Sequence, residues 1–383
     1  MQKHIRIAYT GGGTGGHIYP LLAVADEITK GMRRYPDVRV SYSYFGDPGM
    51  YSDEFVKRKI TIRHIMGSKL RRYASFLNIL DAIKFPFSFL QALLKLLFIM
   101  PDVLFSKGGT GALPVILAAW IYRIPIIVHE SDAVPGLTNR LSFPFASRVG
   151  VAFERALTFV KGNKGALVGN PVRPFLLTPS DVTQEQAKRI FGFDPQVPLI
   201  LVMGGSQGSQ RLNTFLLDTA TELVPHYQVL HQTGMKNFSD VSRELNLIFK
   251  NQIHPYQERY KVVDFFRDNL KDAFIAADII VSRSGSFLFE IATFAKPSIV
   301  IPLKESANNH QWYDALEYSQ KGACIIIEED NLTPVLFLTQ LKKISTDVSS
   351  YHHMSTAAHA FATPDAALVL AQEIIRLGWG SKV

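Results

Sequence analysis

The sequence predicts an α/β protein of two doubly wound, Rossmann-like domains separated by a cleft. Three observations predict it. Apolar runs of strand length alternate with helical patterns almost throughout the chain, which argues for parallel sheets joined by right-handed crossovers. Two glycine-rich turns stand far apart, GGGTGGH at 11–17 and GGSQG at 204–208, each preceded by an apolar run and followed by a helical pattern. A proline-rich stretch, Asn170-Pro171-Val172-Arg173-Pro174, lies shortly before the second set of runs and reads as a linker.

Taken in order, the first set of strand candidates is 5–9, 38–45, 102–105, 125–128, 147–152 and 165–168. The second set is 198–203, 227–231, 260–264, 278–281, 297–301 and 323–327. Helical patterns fill the gaps at 17–32, 76–99, 111–122, 210–223, 286–295 and 308–321. A glycine turn opening each set argues for two sheets rather than one large one. The expected domains are 1–170 and 175–362. A final helix, opened by Thr363-Pro364-Asp365, is expected to return to the first domain, as in many two-domain proteins of this build.

A chain of 383 residues has ample material for two cores. A hydrophobic content of 47% with 19% charged residues excludes a disordered chain. The one cysteine, Cys324, lies in Ala-Cys-Ile-Ile-Ile and reads as a buried strand residue, so no intrachain disulfide forms. Met1 to Tyr9 runs straight into a strand pattern, so no secretory leader is expected. Charge is uneven. Residues 1–165 hold 22 Lys and Arg against 11 Asp and Glu, whereas 166–383 hold 19 against 22. A basic first half suits an anionic partner such as phosphates, nucleic acid or an acidic lipid surface. No nucleic-acid recognition motif accompanies it, and the same half carries an aliphatic patch, so nucleic acid is not expected as a partner.

That patch is 76–100, rich in Phe, Leu and Ile, with Lys69, Arg71, Arg72, Lys84 and Lys95 beside or within it. Asp81, Lys84, Pro86 and Lys95 interrupt it, so it does not read as a transmembrane span. A basic, aromatic-rich helix without a clean polar face suits a membrane interface, and the alternative is a core helix.

The motifs gather at strand ends. Glycine turns that open a helix leave backbone N–H groups for a phosphate. Gly11 to Gly16 fits G-x-G-x-x-G; for the acid that a dinucleotide site wants about 20 residues on, the nearest candidate, Asp47, stands about 31 residues after Gly16 and fits poorly, and no P-loop lysine follows. His17, placed in the first helical turn, is suited to accepting a proton at neutral pH. His129-Glu130-Ser131-Asp132 ends an apolar strand, where open sheets bind ligands. Its carboxylates suit general-base work, and Ser131 or Asp132 suits N-capping equally. Lys107-Gly108-Gly109-Thr110-Gly111 is a third glycine turn suited to oxyanions. Arg173 offers a guanidinium to a phosphate, Glu290 a carboxylate to ribose hydroxyls, and the 308–311 segment NNHQ its amides and imidazole to a sugar. No cysteine cluster or H-E-x-x-H is present, so no metal site and no cofactor are expected.

The strings GGGTGGHIYP, HESD-x-x-PGLTNR, GNPVR, MGGSQG, SRSG-x-x-x-x-E and NNHQ-x-x-x-A, in this order from about Ile5 to Gly322, resemble the MurG family. The resemblance implies a GT-B glycosyltransferase fold and an inverting, metal-independent transfer. N-acetylglucosamine would pass from UDP-GlcNAc to lipid I, giving lipid II for peptidoglycan on the inner face of the plasma membrane. Thr14, Gly15, Gly16, His17, Asp132, Arg173, Ser206, Arg283, Glu290, His310 and Gln311 would bind UDP-GlcNAc. Arg173 and Ser206 would meet its diphosphate, Glu290 its ribose, and Gln311 with His310 its sugar; Arg283, Ser284 and Gly285 would shape the nucleotide pocket. Gly12, Gly13, Lys69, Arg71, Arg72, Gly109, Thr110 and Gly111 would take the lipid diphosphate, and 69–100 would face an anionic membrane. His17 is the expected base, with Glu130 or Asp132 as rivals. The chain departs from the family pattern at Asp132, where some members carry Asn, at His310, where some carry Gln, and at Asp314, where Asn is common. Rival readings are another GT-B enzyme, such as a diacylglycerol glycosyltransferase or a sugar-nucleotide epimerase, and a non-catalytic sugar-nucleotide-binding subunit.

Overall fold

A computed structural model describes residues 3–12, 14–67, 76–205, 208–252 and 256–380. The chain divides into two units, one running to Pro174 and resuming at Thr363, the other spanning Phe175–Ala362.

The first unit holds β1 (Lys3–Gly12), β2 (Val38–Phe45), β3 (Thr61–Arg63), β4 (Val103–Gly109), β5 (Ile126–Glu130), β6 (Arg148–Val151) and β7 (Gly165–Leu167). Their order across the sheet is β3-β2-β1-β4-β5-β6-β7, all neighbours being parallel. Period-2 alternation sends successive side chains to opposite faces, and both faces are covered. Ile5, Ile7, Tyr9, Val103 and Phe105 join a core with the helix Gly15–Met32 and the last helix, Ala366–Trp379. Ala8, Leu104, Ile126 and Val128 join another with the helices Phe76–Ile99 and Ala112–Ile121.

The second unit holds β8 (Leu199–Met203), β9 (Gln228–Gln232), β10 (Tyr260–Val263), β11 (Ile279–Ser282), β12 (Ser298–Val300) and β13 (Cys324–Ile326), in the order β10-β9-β8-β11-β12-β13, again all parallel. Cys324 is buried, and burial pushes its thiol pKa up.

Two differences from the sequence reading have physical causes. The strand β3 lacks an apolar run. It is three residues long at the sheet edge and half exposed, so it carries no periodic signal. The linker stretch does not float free either: Pro171 and Val172 are buried, and the first unit extends to Pro174.

Candidate active site

In each sheet the strand order reverses at one place, between β1 and β4 in the first and between β8 and β11 in the second. Ligands of open α/β sheets bind outside the carboxyl ends of the strands at such a reversal. All three glycine turns lie there.

In the first unit Gly12 pairs with Gly109 across the β1–β4 boundary. The approach is backbone to backbone. A Cβ on Gly109 would stand 2.2 Å from the Gly12 carbonyl oxygen, and one on Gly11 would stand 2.9 Å from that of Gly108. Both glycines also have positive φ, 83° and 131°, so only glycine serves. The Tyr44 hydroxyl donates to the Gly11 carbonyl at 2.5 Å and holds the loop from β2. Gly15 and Gly16 open the helix Gly15–Met32, and Gly111, at φ 80°, caps Ala112–Ile121. Two helix N-termini, with the positive ends of their dipoles, therefore open beside Gly12, Gly109 and Thr110.

Thr14 is the N-cap, yet its hydroxyl does not cap; it lies 3.2 Å from His17 Nδ1. In the tautomer that donates Nδ1–H to Thr14, the basic lone pair sits on Nε2. His17 and Asp132 are half-buried. Arg173 belongs to this unit and lays its guanidinium over the Tyr19 ring, 5.0 Å from its centre, two residues beyond His17.

Glu130 braces its own loop. It is buried; Oε1 accepts from the Asp132 N–H at 3.0 Å, and Oε2 accepts from Gly136 N–H and the Asn139 amide at 3.0 and 2.9 Å. Burial and the Asp132 charge push its pKa up, against those hydrogen bonds. Nor do Ser131 and Asp132 act as N-caps: Gly136 caps Leu137–Ser142, and Ser131 turns inward to Lys107.

Lys107 is 1% exposed at the end of β4. Its ammonium donates to His129 Nδ1 at 2.6 Å, to Ser131 Oγ at 2.5 Å and to Asn170 Oδ1 at 3.4 Å. His129 carries its proton on Nε2 and donates to the Gly169 carbonyl at 2.8 Å, while Ser131 donates to Asn170 at 2.8 Å. Burial pushes the Lys107 pKa down, opposed by Glu130 and Asp132. Burial and the Lys107 charge keep His129 neutral. The residues sit in motifs, but their pairing had no local signal, because the partners of Lys107 lie 22 to 63 residues away from it.

In the second unit Gly204 and Gly205 end β8, and Gly208, at φ 77°, comes so close to β9 that a Cβ would lie 2.0 Å from the Thr233 carbonyl. Ser209 caps Gln210–Asp218, accepting from Leu212 N–H. From β11, Arg283 donates to Ser209 Oγ at 2.6 Å and to the Ile301 carbonyl at 2.9 Å, and pairs with Glu329. Buried and fully engaged, it braces the turn. Glu290 is buried on Phe287–Thr293 behind Gly285. Ser284 donates to the Gln311 carbonyl at 2.6 Å, and Gln311 Oε1 accepts from Leu303 N–H at 2.9 Å, which leaves its –NH2 as the group it offers. Asn308 and Asn309 are left-handed, at φ 56° and 53°, and turn the chain into the helix His310–Gln320. His310 Nδ1–H donates to the Ala307 carbonyl at 2.9 Å. Gly13, Lys69, Arg71, Arg72 and Ser206 lie outside the described residues. Among the described residues no three His, Cys, Asp or Glu side chains converge as a metal set.

Along Phe76–Ile99, Ser88, Ala92 and Leu96 are buried, while Ile83, Phe87, Leu90, Leu94 and Leu97 stay 49–59% exposed. Their spacing of four and three makes one apolar stripe on the outer face. No helix among the described residues is long and apolar enough to cross a membrane.

Residues 7–151 match the glycosyltransferase family 28 N-terminal domain, and 199–370 match the C-terminal domain. Fold and sequence together define a family 28 glycosyltransferase. The chain is 32% identical over 353 residues to the UDP-N-acetylglucosamine--N-acetylmuramyl-(pentapeptide) pyrophosphoryl-undecaprenol N-acetylglucosamine transferase of Clostridium kluyveri, covering 90% of this chain and 93% of that one. It is 30% identical to the transferase of the same name from Clostridium tetani, over 92% of each chain. It therefore belongs to this N-acetylglucosamine transferase family, the MurG family. Among solved structures it is similar to Acinetobacter baumannii MurG, with TM-score 0.71, 24% identity and 97% and 99% of the two chains covered. A UDP-GlcNAc 2-epimerase from Neisseria meningitidis has TM-score 0.68, 13% identity and the same coverage. These two likenesses show the fold alone.

Proposed function

We propose that this chain transfers N-acetylglucosamine from UDP-GlcNAc to the 4-hydroxyl of the muramyl sugar of lipid I, forming lipid II, with inversion and without a metal ion. The observation that carries the reading is the nine-tenths-length likeness to the named transferases. The motif residues stand at both strand-order reversals. The epimerase alternative shares the fold at 13% identity only.

The second unit holds the nucleotide. Ser206 and the N–H groups of the 204–208 turn, at the start of Gln210–Asp218, take the diphosphate together with Arg173. Glu290 takes the ribose, and Gln311 with His310 takes the sugar. The first unit holds the acceptor, its diphosphate meeting Gly12, Gly13, Gly109, Thr110, Gly111 and the basic residues Lys69, Arg71 and Arg72. Thr14, Gly15, Gly16 and Asp132 line the place where the hydroxyl reacts.

His17 Nε2 takes the proton of that hydroxyl as its oxygen bonds to the anomeric carbon. The bond from that carbon to UDP breaks on the opposite face, so the α-linked donor gives a β-linked product. Negative charge grows on the departing diphosphate, where aligned N–H dipoles and a guanidinium stabilise it. These groups supply the charge stabilisation for which a divalent ion would otherwise serve. The apolar stripe of Phe76–Ile99 and the basic residues before it rest on the anionic inner face of the plasma membrane, where the lipid acceptor resides.

The test is transfer of radiolabelled N-acetylglucosamine to lipid I with EDTA present, followed by NMR of the new linkage. A labelled, β-linked lipid product is expected. UDP-GlcNAc binding without lipid labelling would turn the reading towards an epimerase or a different acceptor.

A further inference from the structure

Burying an ammonium costs several kcal/mol unless partners replace its water. A methionine would fill the Lys107 space without that cost, so what the lysine adds is its three donors. All three are spent on other segments. Lys107 itself leads into the 108–111 turn, whose Gly109 abuts Gly12. His129 and Ser131 belong to the loop that Glu130 holds. Gly169, reached through His129, and Asn170, reached directly and through Ser131, begin the stretch by which the chain leaves the first unit. Gly169 has φ 76°, and a Cβ there would stand 2.1 Å from Thr363 Oγ1, the residue at which the chain returns. One buried amine thus ties a glycine turn to the stretch by which the chain leaves the first unit, against which Thr363 is closely packed.

We propose that Lys107 is a positioning residue for the transfer, fixing the 108–111 turn against the Gly169–Asn170 stretch so that the turn keeps the shape that takes the acceptor's diphosphate. Its effect on acceptor binding rests on the function proposed above; the mechanical tie does not. The lysine touches no substrate. It acts through backbone placement, so its loss falls first on the acceptor turn and reaches the nucleotide only through Arg173, at the end of the loosened stretch.

The test is Lys107→Met in the full chain, read in two ways. By hydrogen exchange, amides at 108–111 and 169–173 exchange faster together, while those at 208–212 keep their native rates. In steady-state kinetics, KM for lipid I rises about tenfold or more, the size expected when a hydrogen-bonded charge is removed, and KM for UDP-GlcNAc, which depends on this stretch only through Arg173, rises by clearly less. Lys107→Arg does not restore the acceptor KM, because its larger planar head does not fit the closed space. Ser131→Ala removes one partner at little change in volume. It gives a smaller shift of the same sign, not additive with Lys107→Met, and carries the test if Lys107→Met does not fold. Unchanged exchange at 169–173 would overturn the tie, and a native lipid I KM in the presence of that change would overturn the positioning role. If the native protein transfers nothing to lipid I, the proposed function fails while the exchange measurement still decides the tie.

Discussion

At the scale of single residues, the proposed chemistry turns on His17 and the pH behaviour on a buried imidazole. His17→Ala removes the proposed general base, a group worth typically a hundredfold to ten-thousandfold in rate, while the proposed nucleotide groups stand on other elements. The expected outcome is a fall of kcat in that range with UDP affinity, measured by calorimetry, within about twofold; near-native turnover would remove His17 from the chemistry. His231 is a different case. Fully buried, held by Tyr260 and Asn213 at 3.1 and 3.0 Å, it has its pKa lowered by burial to about 3. The unfolded chain binds its proton near pH 6.5, so stability is complete above that and falls as pH drops towards 3. At pH 5 the loss is about 2 kcal/mol. His231→Gln keeps hydrogen-bonding groups without a titration. Denaturant melts from pH 7 to pH 5 should show a shallower acid fall than in the native chain; equal slopes would refute the assignment. The place of His17 in the first turn of its helix was legible in the sequence because it adjoins its glycine turn. The Lys107–His129–Asn170 cluster was not, because nothing local marks partners on three separate segments.

At the scale of elements, the turns were legible and their neighbours were not. A glycine that must approach another backbone announces itself by composition, as Gly11 and Gly12 do. That the approach is made to Gly108 and Gly109 follows only from the pairing of β1 with β4. The helix Phe76–Ile99 shows the same limit. Its composition left membrane contact and core burial both open, and the fold gives it a buried face and an exposed apolar one: Ala92 and Leu96 are buried, while Phe87 and Leu94 are 59% and 50% exposed. Because the outer stripe packs on nothing in its own core, changing it should leave folding intact. Phe87→Glu with Leu94→Glu removes two side chains, each worth about 1.5–3 kcal/mol when buried. It also sets two negative charges against an anionic surface. Binding to vesicles containing acidic phospholipid, followed by sedimentation, should weaken more than tenfold with the melting temperature unchanged to within a degree or two. Undiminished binding would move the membrane face elsewhere.

At the scale of the whole molecule, the order of the chain and the order of its cores differ. The last helix, Ala366–Trp379, lies beyond the second unit in sequence, yet its Ala367, Leu370, Ala371 and Ile374 belong to the core of Ile5, Ile7 and Leu21. Trp379 packs edge-on to Tyr35 at 5.8 Å and lies under the Lys3 ammonium at 4.4 Å. Gly378 is tight against Val103, where a Cβ would come within 3.0 Å. Sequence alone shows an amphipathic helix there; which sheet it covers depends on contacts hundreds of residues away. Removing 363–383 would expose the apolar face of Gly15–Met32, the helix that carries His17. At about 1.5–3 kcal/mol for each large side chain and less for each alanine, the loss is comparable to the whole stability of a domain, roughly 5–15 kcal/mol. Among the described residues the second unit's core reaches buried Ala358, and Phe361, which packs on Phe289 and Tyr318, and the unit ends at Ala362, before the cut. Scanning calorimetry of the truncated chain should therefore show the first unit's transition lost or lowered by tens of degrees. The second unit's transition should persist and still shift upward with UDP. Loss of both transitions together would mean that the second unit draws its stability from the first.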